Sequence, residues 1–331
     1  MRADSFAAHV LGYLARAEPP FAGSTKRAIP RKGFLSWLHA ALAFTPVLDP
    51  EPTTPLRRAD LTRADLADVN LIGSQLTLAN LKEAHLFFAD LTDADLIGTN
   101  MFRADLTNAD LTGAHLFFAD LTRASLKDAN LTGAFLIRTK LTGANLFRAN
   151  LTGANLFRAA LNGADLTEAT LRHAKLNEVD LSGAHLVDAD LTGASLPRAE
   201  LTRAYLARAC LTRADLTDAD LSRADLPHAS LSYADLRRAR LNGTDFTNAN
   251  LRGADLTGAD LTAANLRGAD LTDADLTSTE LVGAHWSLET DWPAHLYETI
   301  RTRSVRVREA VFRIQGDEVQ DRDPAPTPAS V

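Results

Sequence analysis

Every fifth residue from Leu56 to Trp286 is apolar, without a gap or insertion. Of these 47 positions, 44 are Leu, and the exceptions are Met101, Phe246 and Trp286. Two residues ahead of each lies a second column of 46 positions, Ala59 to Ala284, in which 39 are Ala. The rest of that column, Val69, Ser74, Thr99, Thr139, Val179, Thr244 and Thr279, is also small. A period of five matches neither the helical 3.6 nor the strand period of 2, so no ordinary amphipathic element fits. It fits a chain that turns a corner every five residues and points one large and one small side chain inward per side. Four sides give a coil of about twenty residues, and stacked coils pair like neighbouring strands about 4.8 Å apart.

Units such as Leu141–Asn150 (LTGANLFRAN) and Leu211–Asp220 (LTRADLTDAD) carry the A(D/N)LXX consensus, and the sequence resembles the pentapeptide repeat family over about 70% of its length. The resemblance implies an all-β solenoid, a right-handed quadrilateral β-helix of about 11–12 coils, with the central Leu and the preceding Ala inside. Fourteen units carry Gly two residues after the Leu, and eleven of these have numbers ending in 3. Gly suits a turn residue with positive φ, so two opposite edges are expected to be richer in such turns than the other two.

An open solenoid exposes its apolar axis and unpaired backbone at both ends, so caps are expected. Residues 1–55 are not repetitive, and Ser5–Glu18 and Gly33–Phe44 read as amphipathic helices of an N-terminal cap. The repeats fill 56–286. A C-terminal cap is expected over 287–316, with a short helix in Trp292–Arg303 and one or two strands in Ser304–Ile314. The Pro-rich tail, 317–331, reads as disordered.

Composition narrows function mainly by exclusion. The single Cys210 leaves no disulfide framework or Cys-based zinc site and fits a reducing cytosol. Neither a signal peptide nor an apolar run long enough to span a bilayer is visible, so a cytoplasmic protein is expected. The net charge of −7 argues against direct nucleic-acid binding. His85, His185 and His285 share a face but lie five coils apart, the aspartates are supplied by the consensus, and no phosphate loop, nucleophile elbow or HExxH occurs. The expectation is therefore no catalytic residue, no metal and no cofactor, with Cys210 incidental. Thr at 92, 112, 132, 152, 192 and 212 stacks as a structural ladder.

Sorting outward residues modulo twenty defines four faces. Residues 56–290 carry 23 basic and 31 acidic groups, and the face of Leu66 and Leu86 is the most acidic at −5. The face of Leu56 and Leu76 is the least acidic at +1. On that face Ile97, Phe117, Ile137 and Phe157 occupy one outward site on successive coils, with Phe118, Phe135, Arg138 and Arg158 beside them. Such a patch marks a contact surface, covered by the chain's own N-terminal segment, by a second copy in a homodimer, or by another protein. Phe87, Phe88 and Phe147 form a smaller group on the opposite face.

The resemblance also raises a second function, because some family members modulate type II topoisomerases by mimicking duplex DNA. Asp215, Asp218, Asp220 and Asp225 would form the acidic surface for DNA gyrase, linked to antibiotic resistance or self-protection. A ~55 Å length of duplex carries about 32 charges at one per roughly 1.7 Å. The solenoid's net is −8, with arginines interleaved. The leading expectation is a non-catalytic scaffold that binds a protein partner, unidentified, through its faces.

Overall fold

The computed structural model describes residues 56–316. From Leu56 onward each unit reads as a central Leu, two corner residues, an Ala and a bridging residue. The bridging residue pairs in parallel with its counterpart twenty residues on, from Asp60↔Asn80 to Asn265↔His285. Four units therefore make one coil, and the product is a quadrilateral β-helix with four columns of single-residue bridges.

Following each backbone N–H shows why the pattern is so regular. The Leu N–H donates to the bridging carbonyl of the next coil, as Leu61 does to Asn80 at 2.8 Å. The second corner residue also donates forward, Arg63 to the Lys82 carbonyl at 2.9 Å. The Ala N–H closes its own turn, Ala64 to the Leu61 carbonyl at 2.9 Å, and the bridging N–H reaches back, Asn80 to the Ala59 carbonyl at 2.9 Å. One donor in five, that of the first corner residue, has no place in this ladder.

The side chain of the preceding bridging residue takes up that donor. Asp90, Asp110 and Asn150 each accept the N–H of the Thr two residues on at 2.9–3.0 Å through Oδ1. Asp and Asn make this short local bond more readily than any other side chain, which is the physical content of the D/N in the consensus. Proline is admitted at the same place for the complementary reason: Pro197 and Pro227 are first corner residues and lack only the hydrogen bond the ladder does not use.

The Leu and Ala columns form the interior. Almost every central Leu is fully buried, as are Met101, Phe246 and Trp286. Where Thr replaces Ala, the hydroxyl is buried but paired: Thr139 donates to the Leu116 carbonyl at 2.7 Å and Thr244 to that of Leu221 at 2.8 Å. Thr is thus tolerated in a core column because a carbonyl lies within reach.

The expectation of two turn-rich edges is corrected by the backbone. The second corner residue has φ between 54° and 78° in every unit, whether it is Gly, Arg, Asp, Phe or Tyr. All four edges use the same left-handed corner. At five of the fourteen corner glycines, Gly98, Gly113, Gly193, Gly253 and Gly268, a Cβ would come within 3 Å of the second-corner side chain one coil earlier. A Cβ on Gly193 would lie 2.7 Å from the His173 ring, and one on Gly253 only 2.6 Å from Tyr233, whereas Gly153 faces open space. Gly153→Ala should therefore cost on the order of 1 kcal/mol, the left-handed penalty alone. Gly193→Ala should cost clearly more, and equal shifts in melting temperature would refute the close approach.

The regular register ends after Asn265↔His285, and the next bridge, Asp270↔Asp291, spans one residue more. Here the backbone extends into β1 (His285–Ser287), followed by α1 (Tyr297–Thr302), β2 (Ser304–Arg308) and β3 (Val311–Ile314). The three strands form an antiparallel sheet in the order β1-β3-β2. The Gly283 N–H donates to the Ile314 carbonyl at 2.8 Å, and the Ile314 N–H returns to that of Ala284 at 2.9 Å. The hairpin thereby occupies backbone groups of the last coil. The helix is shorter than Trp292–Arg303 because Pro293 and the turn after it delay its start. The expected N-terminal helices and the C-terminal tail lie outside the described residues. Among the described residues no helix is long and apolar enough to cross a membrane.

Candidate interaction surface

The structure brings the apolar residues of the least acidic face together, but not as a uniformly exposed patch. Phe117 and Ile137 are buried, 3% and 4% exposed, while Ile97, Phe118 and Phe157 are half-buried and Phe135 is exposed. Outward register alone therefore does not make every member of the ladder solvent-exposed. Phe117 stacks on Phe135 with ring centres 5.8 Å apart, and His115 packs edge-on against Phe135 at 5.2 Å. A side chain on the outer wall has neighbours twenty residues away above and below it, so a run of large side chains shields its own flanks.

Arginines border the strip along the adjoining corner. The Arg138 guanidinium lies 6.0 Å from the Phe118 ring centre, and that of Arg158 lies 4.9 Å from Phe157. Arg158 also pairs with Glu178 at 2.7 Å. Cation and aromatic face here present one continuous surface, partly apolar and partly positive. The opposite-face group is more open: Phe88 is 59% exposed, with Phe87 edge-on at 6.3 Å.

The acidic residues are tied down rather than displayed. Asp215 accepts both the N–H and the hydroxyl of Thr217, at 3.0 and 2.7 Å. Asp218 forms a two-pronged pair with Arg238 at 2.7 and 2.9 Å, which holds its carboxyl below the usual range. Burial works to raise the carboxyl of Asp220, but hydrogen bonds from Ser222 and Arg240 outweigh it and the net shift is downward. The same one-coil pairing recurs at Asp128–Arg148 and Asp188–Arg208. In each of these three pairs a corner acid meets a corner arginine twenty residues away.

Asp225 differs. The residue two positions on is Pro227, which offers no N–H, and Asp245 stands one coil beyond. Burial and then repulsion from Asp245 push its carboxyl above the ordinary value. The sign follows from linkage: a carboxyl that binds its proton more tightly when folded opposes folding at neutral pH, and relief comes as pH falls through the raised value. Asp225→Asn should therefore hold or slightly raise the melting temperature at pH 7, and Asp220→Asn should lower it. Opposite shifts would show that Asp225 has a partner the geometry does not provide.

The remaining polar features do not converge. His85, His185 and His285 stand in one column as expected, and His185 stacks on Tyr205 at 4.8 Å. Cys210 is half-buried between the hydroxyls of Thr192 and Thr212, at 3.2 and 3.4 Å. The Thr ladder is bonded sideways and along the axis, with Thr112 taking Asp110 at 2.6 Å and accepting from Asn130 at 2.8 Å. Among the described residues no group of three or more His, Cys, Asp or Glu has metal-binding geometry.

A solenoid of uninterrupted five-residue units, four to a coil and walled by Asp/Asn-capped corners, is the architecture that A(D/N)LXX repeats specify. The chain belongs to the pentapeptide repeat family: the model described as Pentapeptide repeats matches eight copies in successive segments from 56–82 to 254–285. Among solved structures it is similar to HetL, a pentapeptide repeat protein involved in heterocyst differentiation regulation from Nostoc sp. strain PCC 7120. That match has 33% identity, covers 75% of this chain and 94% of HetL, and has a TM-score of 0.26. Rfr23 from Cyanothece 51142 is 44% identical over 28% of this chain and 63% of its own, with a TM-score of 0.28. QnrB1, a plasmid-mediated fluoroquinolone resistance protein, is 20% identical over 63% of this chain and 94% of its own, at a TM-score of 0.33. Comparison with curated proteins returns no match.

Proposed function

We propose that the chain is a rigid, non-catalytic scaffold that binds another protein through the strip of Ile97, Phe117, Phe118, Phe135, Ile137 and Phe157 with Arg138 and Arg158. The observation that carries this reading is the juxtaposition of stacked aromatic rings and guanidinium groups over four consecutive coils. Aromatic residues and Arg are the types enriched where proteins meet, and a ladder-bonded wall holds them without the entropy cost of ordering a loop. The test compares wild type with Phe135→Asp and with a Phe157→Asp/Arg158→Glu double variant in affinity capture from the native host. Partners retained by wild type and lost by both variants, at unchanged melting temperature, support the strip. Identical capture by all three sinks it.

The DNA-mimic reading is the weaker one for this chain. QnrB1's association with fluoroquinolone resistance motivates it, but three of the four acids it needs, Asp215, Asp218 and Asp220, are engaged by turn N–H groups or arginines. The expected result is that purified protein leaves DNA gyrase supercoiling unchanged across a micromolar titration. Inhibition that disappears on charge reversal at Asp215, Asp218, Asp220 and Asp225 would replace the scaffold reading.

A further inference from the structure

The C-terminal sheet ends in an open edge. Its order is β1-β3-β2, so β2 bonds to β3 on one side and to no strand among the described residues on the other. In an antiparallel pair the backbone groups of alternate residues turn toward and away from the partner. The Gln315 N–H donates to the Arg303 carbonyl at 2.9 Å, which fixes the phase. Val305 therefore faces β3, while Ser304 and Arg306 turn their N–H and carbonyl groups outward. The far side of β3 agrees: Ile314, opposite Ser304, spends its N–H on Ala284 and its carbonyl on Gly283. Arg306, Val307 and Arg308 are exposed, Val307 at 51%. An edge of this kind is a template for one more strand.

Charge decides what that strand can be. Arg301, Arg303, Arg306 and Arg308 follow one another closely, with no acid between Glu298 and Glu309. On the solenoid wall, arginines such as Arg148, Arg208 and Arg238 are paired with acids one coil away. Arg301, Arg306, Arg308 and Arg313 enter no ion pair among the described residues, and the Arg306 Nε reaches only the Arg308 carbonyl, at 3.4 Å. Register places Arg313 beside His285, and Arg308, opposite Val311, turns to the same side of the sheet. His285 registers this uncompensated charge: burial, then Arg313, Arg267 and Arg308, hold its imidazole below the ordinary value. A second copy of β2 laid antiparallel on this edge would bring arginine toward arginine, and like charges directly opposite destabilise a strand pair. An acidic strand meets the same side chains as counter-ions. We propose that β2 receives an extended acidic segment of a partner protein as a fourth strand of the C-terminal sheet. Main-chain hydrogen bonds to Ser304 and Arg306 hold the segment, and its carboxylates meet Arg306 and Arg308. This site is separate from the apolar strip and does not depend on what the strip binds.

The experiment uses the full-length protein and a fluorescein-labelled peptide that alternates Glu and Val. Fluorescence anisotropy should report saturable binding of this peptide and none of its counterpart alternating Lys and Val. N-methylation along the peptide, which removes its donors while keeping every charge, should weaken binding several-fold. The Arg306→Glu/Arg308→Glu variant should weaken it several-fold too, at unchanged melting temperature because both side chains are exposed. Arg306→Gln/Arg308→Gln takes its place if the charge reversal impairs folding. Amide exchange followed residue by residue by NMR gives the second reading. The acidic peptide should slow exchange at Ser304 and Arg306 and leave Val305, already bonded to β3, as it was. Binding that survives N-methylation, or that protects neither amide, would overturn the proposal in favour of a diffuse ionic attraction. Absence of binding would overturn it as well. Slow exchange at Ser304 and Arg306 before any peptide is added would mean an edge already occupied, by a second copy if the protection grows with concentration and by this chain itself if it does not. Either result replaces the acidic partner with that occupant.

Discussion

Leu166→Asp should abolish the cooperative melting of the solenoid, whereas Thr152→Ala should move it by well under ~1 kcal/mol, the usual range for a surface substitution. Leu166 is fully buried on the axis, with Leu146 and Leu186 above and below it. A carboxylate there meets only aliphatic neighbours, and an unpaired buried charge costs many kcal/mol unless it takes up a proton. Because each coil contacts only its neighbours, the damage starts locally, but the coils on either side lose a packing face and fail with it. Thr152 by contrast loses one hydroxyl bonded to Asn150, while the Thr152 N–H bond to the Asn150 side chain remains. Equal melting shifts for the two variants, followed by circular dichroism, would mean that the inward and outward columns have been exchanged.

The coil and its inside were legible because they follow from one period and two residue sizes. Leu and Ala recur at fixed spacing, and the four-sided coil buries both columns. The corners were not legible, because glycine does not mark where positive φ is needed. The backbone shows positive φ at Arg148, Phe118 and Tyr233 as readily as at Gly153. The cooperative ladder over-determines the turn, and the strain per corner is small against the hydrogen bonds it permits. At some corners the residue twenty positions earlier does matter, as with His173 before Gly193 and Asp218 before Arg238. The strip was legible in membership but not in exposure. Modular numbering says that Phe117 and Ile137 point outward, but it cannot give their exposure, which depends on the side chains packed around them. The acids were readable as charge and not as bonds, since their role depends on the ladder leaving one N–H per unit unmet.

Trp286→Ala should release the C-terminal sheet and make the solenoid associate end to end. Trp286 is the last inward residue of the repeat, fully buried, and it replaces Leu where the axis would otherwise open to solvent. Phe312 of β3 stacks on it at 4.7 Å, Trp292 and Tyr297 pack edge-on at 6.1 and 6.3 Å, and its indole N–H donates to the Ser304 hydroxyl at 2.9 Å. One side chain therefore joins the last coil, the turn before α1 and both strands of the hairpin. Truncating a buried Trp typically costs about 3–5 kcal/mol, and a sheet of three short strands has little else to hold it. Once the sheet lifts, Gly283 and Ala284 lose their partners at Ile314, and the final coil becomes an unpaired edge above an exposed apolar axis. Light scattering should then rise with concentration, and a protease should cut between residues 287 and 316 in the variant but not in wild type. Trp286→Phe keeps the stack and loses only the indole bond, so it should remain monodisperse. If the Ala variant stays as resistant and as monodisperse as wild type, the sheet is held by contacts other than this residue and does not guard the solenoid's end.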